Sequence, residues 1–123
     1  MMNDKLLTSD LKTLIFIIKN NNINIDSLTI DEGITNISNG ALSVFYSNLK
    51  ELNLPSTIND ISIGIFESIP NIKTVNINNE NIKYESNGIN IYEKTNSKLI
   101  LSISKEETVT IKSGTKVIGD MAF

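Results

Sequence analysis

Residues 27–38 read SLTIDEGITNIS and residues 51–62 read ELNLPSTINDIS, so the chain writes nearly one sentence twice, 24 positions apart. Aligned on Leu28-Thr29-Ile30 and Leu52-Asn53-Leu54, the copies stay in register: Ile34 falls on Ile58, Ile37 on Ile61, and Ala41-Leu42 on Ile65-Phe66. A third copy opens at Val75-Asn76-Ile77. A fourth opens at Val109-Thr110-Ile111, with Gly114 on Gly33, Ile118 on Ile37, and Ala122-Phe123 on Ala41-Leu42. Self-similarity at a fixed period marks a repeat architecture. Each copy begins apolar-polar-apolar, the alternation of a short strand with one buried face. It then passes a turn (DEG, PST or KSG) and closes in a compact segment such as NGALSVFYSN or SIGIFESIPN. A unit this short buries too little apolar surface to offset the ordering of its own backbone. Neighbouring units must therefore stack and share hydrogen bonds and faces.

Composition narrows the chemistry. The 123 residues suit one domain. They include 22 Ile and 18 Asn, residue types that favour strands and turns respectively. Net charge is −3 and every cation is a lysine, which argues against a nucleic-acid partner. With no His and no Cys, imidazole and thiolate metal sites, cysteine nucleophiles and histidine triads are excluded, and no cofactor or metal is expected. The lack of Cys is compatible with either redox compartment. The longest apolar run, Leu14 to Ile18, is too short to span a bilayer, so no membrane insertion is expected. No basic n-region or cleavage site suggests a signal peptide.

The pattern LTIDEGITNISNGAL…NLKELNLPSTINDISIGIF…NIKTVNI…VTIKSGTKVIGDMAF resembles the BspA-like class of leucine-rich repeats over about residues 25–123, and IGDMAF and NLKELNLPST are its most specific pieces. The core motif reads Ile25-x-x-Leu28-x-Ile30, Leu49-x-x-Leu52-x-Leu54 and Ile72-x-x-Val75-x-Ile77. The resemblance implies an α/β repeat fold: a leucine-rich-repeat solenoid with parallel strands on its concave face and short helical or 3₁₀ segments outside. Two departures stand out. Glu106 replaces the first apolar residue of the fourth copy, and the buried asparagine of other leucine-rich repeats is absent, Gly33 and Thr57 standing near that point.

Three segments depart from the simple period. Between the third and fourth openings the spacing grows to 34. There Asn87-Gly88 signals a turn, and INIY (89–92) and KLILS (98–102), joined by EKTNS, read as a β-hairpin inserted at about 85–104. Residues 1–24 are expected to form an N-terminal cap over the solenoid of residues 25–123. Leu11, Leu14, Ile15 and Ile18 have helical spacing over residues 9–22, with Ser9 or Asp10 as N-cap and an Asn run at the end. The same LIFII also suits a β-rich first coil. The fourth coil is incomplete, so either the chain is a piece of a longer repeat protein or another chain covers the open end. Left uncovered, Val109, Ile111, Ile118 and Phe123 would be exposed and would favour end-to-end self-association.

No catalytic constellation emerges, and an enzyme is not expected. Asp26, Asp31 and Glu32 cluster, as do Glu106 and Glu107, but such carboxylates ordinarily sit in solvated turns. Calcium-loop and phosphate-loop spacings are absent. Asn36-Ile37-Ser38 is a glycosylation triplet whose Ile occupies a core repeat position. Tyr46, Tyr84 and Tyr92 are expected to pack their rings beside the core and leave their hydroxyls wet.

What remains is surface. With positions 28/30, 52/54, 75/77 and 109/111 inward, the residues between them face solvent. The candidate binding rows are Ser27, Glu51, Thr74 and Thr108; Thr29, Asn53, Asn76 and Thr110; and Asp31, Pro55, Asn78 and Lys112. The resemblance implies a non-enzymatic module that binds a protein ligand through this face, as in microbial surface proteins that attach to host proteins or cells. The alternative is a structural spacer or self-assembling unit of a longer array. The resemblance points to the cell surface or secretion, whereas the sequence alone, taken as complete, points to the cytoplasm.

Overall fold

The computed structural model describes residues 5–8, 10, 12–17, 26–120 and 122–123. At its N-terminal side, β1 (Lys5–Leu7) and β2 (Thr13–Ile17) pair antiparallel. Asp10 holds the connection: its carboxylate accepts the Thr8 hydroxyl at 2.6 Å and the Lys12 N–H at 3.0 Å. These two donors, the hydroxyl first, keep the Asp10 carboxyl below the ordinary aspartate range. The helix expected over residues 9–22 is therefore corrected: residues 13–17 are strand, and Asp10 caps no helix. Ser9, Leu11, Ile18 and the Asn run at 20–22 lie outside the described residues.

The strand wins because the repeats supply it with a partner. After β3 (Ser27–Thr29), β4 (Asn36–Ile37) runs parallel to β2 with Leu14 opposite Ile37. Thr35 N and Asn36 N both donate to Lys12 O, and Ser38 N donates to Leu14 O. A helix over residues 13–17 would leave these donors without their acceptors. Asn59 N donates to Thr35 O at 2.9 Å, which carries the same stacking one repeat further.

The main sheet is built from the repeat openings. β5 (Glu51–Leu54) lies between β3 and β6 (Thr74–Ile77), all parallel, with Leu28 opposite Leu52 and Leu52 opposite Val75. The compact outer segments hold a 3₁₀ turn at Ser43–Phe45 and one short helix, α1 (Ile63–Glu67). Side chains at equal places in successive repeats stack into the core: Ile34 with Ile58, Leu42 with Phe66, Phe45 with Ile69 and Leu49 with Ile72, all buried. Ile25, the first apolar residue of the first motif, lies outside the described residues.

An asparagine ties the third repeat to the second. Asn81 is only 1% exposed. Its Nδ2 donates to Ile58 O at 2.9 Å and to Pro55 O at 3.3 Å, while its Oδ1 accepts Tyr84 N at 2.8 Å and Lys83 N at 2.9 Å. One repeat earlier, Thr57 does a smaller version of this, accepting Gly33 N at 2.9 Å and donating to Ile34 O at 2.7 Å. In the first two repeats Gly33 and Thr57 stand near the place of the family's buried asparagine, and in the third the buried amide is Asn81, one position after Glu80, the residue in register with Thr57.

The fourth copy does not add a strand to the main sheet. β7 (Tyr84–Ser86), β8 (Asn90–Glu93) and β9 (Lys98–Ser102) form an antiparallel meander, and β10 (Val117–Ile118) pairs parallel to β9. The turn at residues 86–88 docks on the free edge of β6: Val75 N donates to Gly88 O at 2.8 Å, and the Ser86 hydroxyl donates to Val75 O. Gly88 has a φ of 106°, which a side chain would disfavour. With that edge occupied, residues 109–111 are held elsewhere: Asn90 Nδ2 donates to Thr110 O at 2.9 Å, and Lys112 N donates to the Tyr92 hydroxyl at 2.9 Å. Ile111 packs beside Tyr92, Leu99 and Ala122, a small second core. Val109 and Ile111, expected to be exposed, are half-buried.

The tyrosines also depart from expectation. Tyr84 and Tyr92 are buried with bonded hydroxyls, Tyr84 accepting Ile61 N at 3.3 Å, while Tyr46 is exposed.

Candidate functional site

The outward face of β3–β5–β6 carries side chains that lock one another. Alternation along the strands turns residues 27 and 29, 51 and 53, and 74 and 76 away from the core. Parallel in-register pairing then sets Ser27 beside Glu51 and Thr74, and Thr29 beside Asn53 and Asn76. Glu51 bridges the rows: its Oε1 accepts the Ser27 hydroxyl and its Oε2 accepts Asn76 Nδ2, each at 3.0 Å. Asn76 Nδ2 also reaches Asn53 Oδ1 at 2.9 Å, and Asn53 Nδ2 donates to Thr29 Oγ1 at 3.3 Å. The face is a ladder of amides and hydroxyls running across three repeats.

A second tie crosses the turns at the end of these strands. Glu32 accepts the Ser56 hydroxyl at 2.7 Å and the Ser56 N–H at 2.9 Å, and Asn78 Nδ2 approaches it at 3.5 Å. The Ser56 hydroxyl, then its N–H, holds the Glu32 carboxyl below the ordinary glutamate range. Asn78 Oδ1 accepts Glu80 N at 2.9 Å, which fixes the amide. Between the ladder and this tie lies a shallow depression of about 410 Å³ lined by Thr29, Asn53, Asn76, Asp31, Glu32 and Asn78 among others. Leu54 and Pro55 contribute apolar floor.

Of the sequence-derived candidates, Ser27, Thr29, Asp31, Glu51, Asn53, Thr74, Asn76 and Asn78 belong to the three paired strands and the turns that leave them. Thr108, Thr110 and Lys112 do not, because no fourth strand extends the sheet. Lys112 instead pairs with Glu85 and stands 5.9 Å from the Tyr92 ring centre, lining a separate cleft of about 360 Å³. In the sequence Glu32 is one carboxylate of a cluster expected in a solvated turn, whereas in the fold it ties two repeats through Ser56. The signal for its role was the 24-residue step from Glu32 to Ser56, inside turns that the repeat had already aligned.

Chemically this face offers fixed donors and acceptors. Among the described residues, no group of three or more His, Cys, Asp or Glu is placed to hold a metal. No helix among them is long and apolar enough to cross a membrane.

A family model described as BspA type leucine rich repeat region (6 copies) matches residues 10–90. The match begins within the segment expected to be a cap, in keeping with the 23-residue step that sets Leu14 of β2 opposite Ile37 of β4. It ends before the fourth copy, where the main sheet also stops. No curated protein and no solved structure matches the chain. Leucine-rich repeats of this kind generally serve as non-enzymatic modules for protein–protein interaction. In-register parallel strands, stacked aliphatic rows and the family match agree, and the chain belongs to the BspA-type leucine-rich repeat family.

Proposed function

We propose that the chain is a non-enzymatic recognition module whose strands β3–β5–β6 form the concave face of a solenoid and receive a protein ligand. The observation that carries this reading is the ladder Ser27–Glu51–Asn76–Asn53–Thr29. Association ordinarily costs about 0.5–1.5 kcal/mol for each flexible side chain it immobilises. These side chains are already held by their neighbours, so a ligand meeting them loses less entropy than on an unlinked polar surface. The face lacks the Trp and Arg anchors that dominate tight interfaces, which suits modest affinity strengthened by repetition. The resemblance to microbial surface proteins supports an adhesive role at the cell surface.

The test is capture of protein from secreted, matrix and cytosolic fractions on the immobilised chain, in parallel with two variants. Asn53→Lys with Asn76→Lys places two charges in the ladder, and Thr110→Lys places one off the face. The expected result is a captured protein lost by the double variant and kept by Thr110→Lys, with unchanged circular dichroism for both. Equal capture by the double variant, or capture of nothing by the parent chain, would sink the proposal.

A further inference from the structure

The ladder on β3–β5–β6 has a direction, and one carboxylate sets it. Carboxylate oxygens only accept hydrogen bonds, so the end of the Asn76 amide that meets Glu51 Oε2 is its NH2 group. The same Nδ2 meets Asn53 Oδ1, which turns the Asn53 NH2 group toward Thr29 Oγ1. Both amides therefore point their donors toward β3. The Ser27 hydroxyl gives its hydrogen to Glu51 Oε1. What the ladder leaves unpaired is chiefly acceptor: Asn76 Oδ1, the Ser27 oxygen and the remaining lone pairs of Glu51. Against these stand one N–H of Asn53 and the threonine hydroxyls, which serve either way.

The charge has the matching sign. Glu51 stands in the ladder, and Asp31 and Glu32 line the depression beside it. No lysine belongs to the ladder or lines the depression. Among the described residues neither Glu32 nor Glu51 has an ion-pair partner, whereas in the cleft beside the meander Glu85 is paired with Lys112. Ser56 holds Glu32 through a hydroxyl and an N–H, which bring no net charge, so the negative charge remains uncompensated. A depression lined by one sign of charge concentrates its field, attracts the opposite charge and repels an acidic partner.

We infer that the partner received by this face presents a basic, extended segment, whose lysine or arginine side chains donate to Glu51 in the ladder and to Glu32 at the depression. In an extended segment alternate side chains turn to one side, so cations at every second position all meet the face. The inference rests on the recognition reading above and adds the partner's chemistry to it.

The probes are two fluorescein-labelled octapeptides, one alternating Lys-Ser and one alternating Glu-Ser, titrated with the full chain and read by fluorescence anisotropy. The Lys-Ser probe is expected to bind at low salt and to weaken by roughly tenfold or more near about 0.5 M salt, and the Glu-Ser probe not to bind. Glu32→Gln with Glu51→Gln is expected to weaken the Lys-Ser probe by roughly tenfold, with unchanged circular dichroism. Glu106→Gln with Glu107→Gln makes the same change in net charge at exposed residues off the face, and should weaken it by less than about threefold. In the unsubstituted chain the side-chain NH2 signals of Asn53 and Asn76 should shift in nuclear magnetic resonance spectra as the Lys-Ser probe is added. Equal loss in the two double variants, preference for the Glu-Ser probe, or unmoved amide signals would each overturn the inference. A protein captured on the face together with no binding of the Lys-Ser probe would overturn this inference alone and leave the recognition reading standing.

Discussion

Replacing Asn81 by leucine is expected to destabilise the chain by about 3–5 kcal/mol, although the substitution adds apolar surface at a buried place. The amide satisfies four backbone groups, Pro55 O, Ile58 O, Lys83 N and Tyr84 N. A leucine bonds none of them, and buried groups left unpaired cost about 1–3 kcal/mol each, less where solvent can reach them. Ile58 O and Tyr84 N lie among buried residues, whereas Lys83 N is nearer the surface, so the total falls short of four full penalties. Thermal unfolding followed by circular dichroism should show the melting temperature falling by roughly 10–20 °C. Asn81→Asp is the informative companion. It keeps the two acceptor bonds, loses the two donors and adds a buried charge facing Ile58 O, so it should be no milder. A small effect for either variant would mean that the turn after β6 is held by packing alone.

The second large effect concerns the centre of the main sheet. Leu52→Ala is expected to cost about 3–5 kcal/mol, and Leu28→Ala about half as much. The two leucines hold equivalent places in successive repeats, and intrinsic propensity treats them alike. They differ in what covers them. Leu52 has Leu28 on one side and Val75 on the other and is fully buried, whereas Leu28 lies in β3 at the end of the strand order and is half-buried. Urea denaturation of both variants gives the ratio directly. Equal costs would show that each repeat is stabilised within itself and not by its neighbours.

The main sheet was legible because one alternating pattern recurs at Leu28-Thr29-Ile30, Leu52-Asn53-Leu54 and Val75-Asn76-Ile77, and only stacked strands use that recurrence. Eight of the candidate face residues follow from it directly. Asn81 was not legible: it ends a run with Asn76, Asn78 and Asn79, and residue type does not separate the buried amide from the three nearer solvent. The N-terminal helix failed for another reason. LIFI satisfies both helical and strand spacing, and the deciding partner, β4, lies about one repeat away in sequence. The fourth copy does not follow the pattern because its place on β6 is occupied by Ser86 and Gly88. That docking depends on where the meander folds back, which no local pattern specifies.

The repeats stand side by side, so that Thr29, Asn53 and Asn76 form one surface that ends at β6. Interproton contacts from nuclear Overhauser spectra of the isotopically labelled chain test this most directly. The result expected is a set of cross-strand contacts linking Leu28 with Leu52 and Leu52 with Val75, together with contacts between Val75 and Gly88. Contacts from Val75 to Ile111 in place of those to Gly88 would contradict it. They would show a fourth strand in the sheet and would return Thr108, Thr110 and Lys112 to the outward face of that sheet.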